Sequence, residues 1–299
     1  MNKIGVVGAG KWGSALHFAL SQNDKNSVSI TSRTKRDIQN FVSIDEILEN
    51  EYLIFVISTQ SVSEWLKNNF VFKNQKVLIA SKGIDIASNQ LLSDIFEQYL
   101  PKENIAFLSG PSFATEVMNS LPTALVVNST NIKLAEEFSE FFPNFIKAYT
   151  DTDIIGAEIA GAYKNILAIA SGVSDGLKLG NNARASLIAR GLVEMERFGE
   201  SFGSKKETFF GLSGAGDLFL TASSTMSRNY RVGFELAKNR NLTDILEEIG
   251  ETAEGVKTVR AICQISEQKN LYVPIAREVR AIVNGKPPLE SLKTLLKNN

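Results

Sequence analysis

From the N-terminus as far as KAYTDTD, short apolar runs alternate with amphipathic stretches, and this alternation limits the fold more than any other feature of the chain. The runs KIGVVGAG, SVSITS, YLIFVIS, KVLIAS, IAFLSG and TALVVNS are rich in β-branched or aromatic residues and are bounded by Gly, Ser or Asn. That is the pattern of short buried strands. Between them lie amphipathic pieces such as SVSEWLKNNF and NQLLSDIFEQYL. Strand–helix alternation predicts parallel strands joined by right-handed crossovers. The expected fold class is therefore α/β, with an N-terminal doubly wound sheet of the Rossmann type.

Beyond Asp153 the strand signals nearly vanish. RASLIARGLVEMERFGESFG and VKTVRAICQISEQKN each read as one long helix, and in the closing PPLESLKTLLKNN the residues Leu289, Leu292, Leu295 and Leu296 share a helical face. A chain of 299 residues suits two domains. The change of texture places their boundary near residue 153: residues 1–153 form the dinucleotide-binding domain, and residues 154–299 form an all-α substrate and catalytic domain.

Composition narrows the function. Hydrophobic residues are 43% and charged residues 22% of the chain, enough apolar material for a sizeable core without disulfides or metals. With 32 basic and 33 acidic residues the formal charge is −1, so no overall field favours nucleic acid or a membrane surface. An anionic substrate must be caught locally. One cysteine, Cys263, rules out an internal disulfide, and with a single histidine, His17, there is no Cys/His set for zinc. No segment approaches the roughly 20 apolar residues of a membrane helix. The run Ile4 to Gly10 reads as strand and turn, not as a signal sequence, so a cytoplasmic protein is expected.

VVGAGKWG sets Gly8, Gly10 and Gly13 in the spacing G-x-G-x-x-G, directly after the first strand and opening a helix. Gly8 permits a tight turn, Gly10 lets the backbone approach a pyrophosphate, and Gly13 allows close helix–strand packing. The helix N-terminus then offers amide donors to the phosphates. A plain glycine-rich turn is the alternative, but the βαβ setting favours a dinucleotide. About twenty residues beyond the glycines, where such sites read the ribose, SVSITSRT offers Ser32 and Arg33 and no carboxylate. A guanidinium suits a 2′-phosphate, so NADPH is expected over NADH, a surface arginine being the alternative. Lys82 in IASKGI, and Gly110, Ser112 and Ala114 in LSGPSFA, fall just after strands, at the carboxyl rim where doubly wound sheets bind ligands.

In the second half, EIAGAYKNILAIASG reads as an apolar helix with Lys164 in its midst. A lysine there usually snorkels to water. Ala157, Ala160, Gly161, Ala168 and Gly172, however, invite close approach by other elements, and a buried ammonium needs a partner. GLSGAGDLFLT supplies a candidate: a turn delivering Asp217 at a helix start, with Thr221 one turn later on the same face. A simple helix cap is the alternative for Asp217. SRNYR then gathers Ser227, Arg228, Asn229 and Arg231, a donor set suited to a phosphate, unless it is only a solvated run of charge.

Taken together, GAGKWGSAL, SKGI, SGPSFA, LPTA, GAYKNILAIASG, NARASLIARGL, GLSGAGDLFLT, SRNYRVG and ETAEG closely resemble the NAD(P)-dependent glycerol-3-phosphate dehydrogenase family, over nearly the whole chain. The resemblance implies reduction of dihydroxyacetone phosphate to sn-glycerol 3-phosphate, which supplies the backbone of phospholipids. It implies that Lys164 is the catalytic lysine, with Asn165, Asp217 and Thr221 as its polar neighbours, and that Lys82 contacts both cofactor and substrate. It further implies substrate contacts from Gly110, Ser112, Ser227, Arg228 and Asn229. Cofactor contacts fall to Lys11, Trp12, Arg33, Ala114 and Glu254, with Arg228 shared.

Three positions depart from the family pattern. Lys11 replaces a small hydroxyl residue, Thr252 an aliphatic one, and most of a loop after the second strand is missing. The implied mechanism places the Lys164 ammonium against the carbonyl oxygen that gains charge as hydride arrives, and then has it donate the proton. Burial would lower the proton affinity of Lys164 and Asp217 would raise it. A cleft between the halves is the expected site. NARASLIARGL and the last helix offer faces for a homodimer. Two other readings stay open: a related hydroxyacid or sugar-acid dehydrogenase, and a non-catalytic sensor of nicotinamide cofactors. His17 and Cys263 read as packing residues.

Overall fold

A computed structural model describes residues 1–250 and 253–297, so Thr252 lies outside the described residues. The chain forms two compact units, one of Met1–Lys82 with Gln90–Glu158, the other of Gly83–Asn89 with Ile159–Asn299.

The first unit is built on a seven-stranded sheet. Its strands are β1 (Asn2–Val7), β2 (Asn26–Thr31), β3 (Tyr52–Phe55), β4 (Lys76–Ile79), β5 (Ile105–Ser109), β6 (Thr123–Asn128) and β7 (Ile146–Asp151), in the order β2-β1-β3-β4-β5-β6-β7. Helices α1 (Lys11–Ser21), α2 (Ile44–Ile47), α3 (Val62–Asn69), α4 (Leu92–Phe96), α5 (Ala114–Met118) and α6 (Ile132–Ser139) accompany them. Successive strand residues point to opposite faces. Accordingly Ile54, Leu78 and Leu108 enter one apolar cluster, with α1 and α6, while Leu53, Phe55, Val77 and Phe107 enter the other, with α3 and α4. Burial on both faces explains why YLIF and KVLI read as continuous apolar runs.

Two features differ from the sequence reading. The all-parallel expectation fails at one pair: β5 and β6 run antiparallel, with Leu108 opposite Val127. The link between them carries only the five-residue α5. That link spans residues 110–122, shorter than the residues 80–104 that join the parallel strands β4 and β5, and it is close to the minimum of about a dozen residues for a parallel crossover. The second difference is β7, which pairs parallel with β6 inside the stretch read as a boundary. Its residues alternate between covered and open positions, a weak strand signal.

In the second unit no strand follows Asp151 among the described residues. Helix α7 (Ile154–Gly176) leads into α8 (Asn181–Glu200), α9 (Lys206–Phe210), α10 (Asp217–Ala222), α11 (Arg228–Leu236), α12 (Leu242–Ile249), α13 (Glu254–Gln268), α14 (Pro274–Val283) and α15 (Pro288–Lys297). Residues 156–174 of α7 are buried without interruption, as a helix apolar on all sides must be. The leucine face of α15 is only half covered. Leu292 and Leu295 line an apolar cavity with residues of α7, α8 and α14, whereas Leu289 and Leu296 are exposed. The stripe spans roughly 120° at helical spacing, and the neighbouring helices close over one half of it. No helix among the described residues is long and apolar enough to cross a membrane.

Candidate active site

At the carboxyl edge of β1 the glycine turn takes the expected form. Gly8 adopts φ +119°, a conformation that favours glycine. A Cβ on Gly13 would stand 1.8 Å from the Gly8 carbonyl oxygen, so α1 can meet the strand only through a glycine there. Gly10 differs from both. It is exposed, and a Cβ would meet no atom of the described residues within 4 Å. Nothing in the protein's own packing requires glycine at this position, while a pyrophosphate lying against the backbone would. The cap position of α1 is Gly10 itself, with no side-chain hydrogen bond, as suits a helix end that receives an anion. Trp12 is partly buried against the adjoining apolar cluster, and Lys11 is exposed. Arg33 is exposed two residues past β2. The short segment after it is pinned by a bridge between Ile30 and Phe41 and by Thr31 Oγ1 donating to the Val42 carbonyl at 2.8 Å.

The next residues on this rim come together at one carbonyl. Lys82 Nζ donates to Gly110 O at 3.3 Å, and Ser112 Oγ donates to the same oxygen at 3.2 Å. Ala114 opens α5 just beyond.

In the second unit Lys164 does not snorkel. It is buried, and its Nζ donates to Asp217 Oδ1 at 2.5 Å and to Thr221 Oγ1 at 3.2 Å. Asp217 is 1% exposed. A π-helical turn at Leu212–Gly216 delivers it to the first position of α10, whose cap residue is Gly216, and one helical turn sets Thr221 on the same face. Two turns along α7, Ser171 Oγ donates to the Ala222 carbonyl at 2.6 Å and fixes the other end of α10. The ammonium is therefore held in one place.

Helix α11 lies against α7 through glycines. A Cβ on Gly172 would be 2.0 Å from the Tyr230 carbonyl, and one on Gly233 would be 1.9 Å from the Ile169 carbonyl. This approach brings Asn229 to Asn165: Asn229 Nδ2 donates to Asn165 Oδ1 at 2.9 Å, Asn165 Nδ2 donates to the Gly161 carbonyl, and Asn229 Oδ1 accepts the Gly255 N–H at 3.0 Å. Ser227 caps α11, its hydroxyl oxygen accepting the Tyr230 N–H, which leaves its proton for a ligand. Arg228 is exposed on the first turn of the same helix. Glu254, half-buried, is the first residue of α13. Lys164, Asn165, Asp217, Thr221 and Asn229 are thus neighbours or share neighbours within this unit, whereas Gly8, Gly10, Gly13, Arg33, Lys82, Gly110, Ser112 and Ala114 belong to the other.

Sequence reasoning passed over the residues that hold this assembly. Glu194 of α8, buried, accepts the Tyr163 hydroxyl at 2.8 Å and the N–H groups of Ile275 and Ala276, each at 2.8 Å. Burial raises its proton affinity, and these donors partly offset that. A signal existed: Val273 stands at the cap position of α14, Pro274 follows, and an aliphatic side chain cannot accept the open amides. Tyr230 donates to Asp175 at 2.7 Å, and Arg184 meets the same carboxylate at 2.8 Å. Glu158, wholly buried near the start of α7, accepts the Ser93 N–H and hydroxyl, and burial pushes it up to about 7. His17 is buried in α1 and burial lowers its proton affinity. Cys263 is fully buried, its thiol pushed up to about 11. Neither takes part in the arrangement above.

Comparison with known proteins covers both units. The family model described as NAD-dependent glycerol-3-phosphate dehydrogenase N-terminus matches residues 34–135, and the corresponding C-terminus model matches residues 153–294. A protein of Sulfurimonas denitrificans named glycerol-3-phosphate dehydrogenase, NAD(P)+, is 60% identical over 298 residues, covering 100% of both chains. The protein of the same name from Campylobacter jejuni is 60% identical, covering 99% of each. The crystal structure of glycerol-3-phosphate dehydrogenase from Coxiella burnetii aligns with a TM-score of 0.91 at 30% identity, covering 99% of both chains.

Proposed function

The chain belongs to the NAD-dependent glycerol-3-phosphate dehydrogenase family, and on that premise we propose that it reduces dihydroxyacetone phosphate to sn-glycerol 3-phosphate, reversibly, with NADPH or NADH, a step that feeds glycerophospholipid synthesis. The observation that carries the reading is the buried Lys164 ammonium, fixed by Asp217 at 2.5 Å and Thr221 at 3.2 Å. Desolvating an ammonium is costly even when it is paired, and a proton donor fixed against a carboxylate is what reduction of a carbonyl requires.

A reduced nicotinamide, when bound, supplies hydride to the carbonyl carbon. Lys164 stabilises the charge gathering on the carbonyl oxygen and passes one Nζ proton to it, so the ketone becomes a secondary alcohol and the lysine is left neutral until it is reprotonated. In the reverse direction the neutral amine takes the hydroxyl proton. Asp217 and Thr221 keep Nζ from swinging away. Arg228, the free proton of Ser227 and the second N–H of Asn229 hold the substrate phosphate and so orient the carbonyl. The first unit provides the dinucleotide turn, with Gly8, Gly10, Lys11, Trp12 and Gly13, and the rim of Lys82, Gly110, Ser112 and Ala114. Arg33, in a stretch SVSITSRT that offers no carboxylate, supports a preference for NADPH through the 2′-phosphate.

The deciding assay follows loss of reduced-nicotinamide absorbance with dihydroxyacetone phosphate, and with dihydroxyacetone as the control lacking phosphate. Turnover is expected with the phosphate ester. A charged hydrogen bond is worth about 1.5–3 kcal/mol, so Arg228→Ala should raise its KM about 10- to 100-fold. Absence of turnover in the purified protein refutes the assignment, and an unchanged KM refutes the phosphate site.

A further inference from the structure

Among the described residues, helix α13 has no side-chain cap from its own N-terminal cap position. Its cap residue is Ala253, whose methyl group cannot accept an amide N–H. The acceptor comes from another helix, as Asn229 Oδ1 takes the Gly255 N–H at 3.0 Å while Asn229 Nδ2 donates to Asn165 Oδ1 at 2.9 Å. Gly255 fits only as glycine, since a Cβ would stand 2.7 Å from the Asn165 carbonyl oxygen and 2.8 Å from Asn229 Oδ1. One carboxamide thereby joins α7, α11 and α13. Its orientation is determined, because a flipped amide would set donor against donor at Gly255 and acceptor against acceptor at Asn165. Of its one oxygen and two N–H groups, one N–H remains. The residue before Asn229 is Arg228, and the residue before Gly255 is Glu254.

We propose that Asn229 is a positioning residue that couples two ligands: a phosphate accepting its remaining N–H steadies the carboxamide that caps α13, and a nicotinamide dinucleotide touching Glu254 binds more tightly as a result. Linkage makes the effect reciprocal. The proposal rests on the functional reading above and goes beyond it, because it assigns Asn229 and Gly255 an effect on the cofactor.

Glycerol 3-phosphate and NADPH are both reduced, so they can be bound together without turnover. NADPH fluorescence is titrated with and without saturating glycerol 3-phosphate. In the wild-type protein the phosphate ester should lower the NADPH Kd at least about 5-fold, the lower end of usual coupling. Gly255→Ala, which pushes the first turn of α13 off Asn229, should bring the ratio towards one. Asn165→Ala removes a partner of the carboxamide without adding volume, should also lower the ratio, and carries the test if Gly255→Ala does not fold. The ratio is unmoved by a uniform loss of stability or of active protein, which separates positioning from a merely structural role. If both ligands bind the wild type without coupling, or with the same ratio in the folded variants, the proposal is wrong. If either ligand fails to bind the wild type, the functional reading falls and takes the proposal with it.

Discussion

Removing the Lys164 amine should damage the protein in two separable ways. Lys164→Met deletes a charge 2.5 Å from Asp217, a carboxylate 1% exposed to solvent. At that distance, with an effective dielectric constant near 20, the gross attraction is about 7 kcal/mol. Desolvation offsets much of it, and breaking one side of a buried pair typically costs about 3–5 kcal/mol. That is a large share of the roughly 5–15 kcal/mol that holds a protein folded. Lys164→Met with Asp217→Asn removes the stranded charge and keeps an amide for Thr221, so its urea midpoint should return close to that of the wild type. Activity should not return. General acid–base help is worth roughly 10²–10⁴-fold, and both variants should lose at least the lower figure in kcat. Urea denaturation followed by circular dichroism, with kcat measured on the same preparations, tests both halves. If the single variant is as stable as the double, the ion-pair reasoning is refuted. If the double variant recovers activity along with stability, Lys164 is not the proton donor.

Arg33→Ala should raise the KM for NADPH while leaving that for NADH nearly unchanged, and equal effects on the two cofactors would remove Arg33 from 2′-phosphate recognition. Glu158, held up to about 7 by burial, binds a proton in the folded chain that it has lost in the unfolded one between the ordinary carboxylate value and pH 7. Its contribution to stability is therefore full below that window, declines as pH rises through it, and levels off above. The loss is about 3 kcal/mol at most. Glu158→Gln should flatten this slope in thermal melts across the same pH range, and an unchanged slope would discard the assignment. Cys263, with its thiol buried and pushed up to about 11, should resist alkylation in the native protein and react once it is unfolded.

Much of this was legible in the chain because the signals were local. The six apolar runs became strands, and Gly8, Gly10 and Gly13 formed the turn their spacing implied. Lys164, Asp217 and Thr221 met because one lies on a helix of small residues and the other two are a helical turn apart. What escaped depended on partners far off in sequence. The direction of β6 is not written in TALVVNS itself, and the link before it is close to the shortest that a parallel crossover allows. Strand β7 is half open and carries little apolar pattern. Glu194 gave no sign within its own helix, since its donors are 81 and 82 residues away. The fourfold leucine stripe of α15 was visible, but how much of it the neighbouring helices would cover was not.

The borrowed caps of α13 and α14 bear on how the second unit is assembled. A helix nucleates poorly on its own, and its first turn is the costly step. Because Ala253 and Val273 cannot stabilise those turns, a peptide cut from this region would carry good apolar stripes and still fray at both starts. In the folded chain Asn229 and Glu194 supply the acceptors instead, so loss of either side chain should loosen the start of the helix it serves. The start of α13 and the asparagine that adjoins Arg228 therefore share one hydrogen-bonded joint, and what disturbs one disturbs the other.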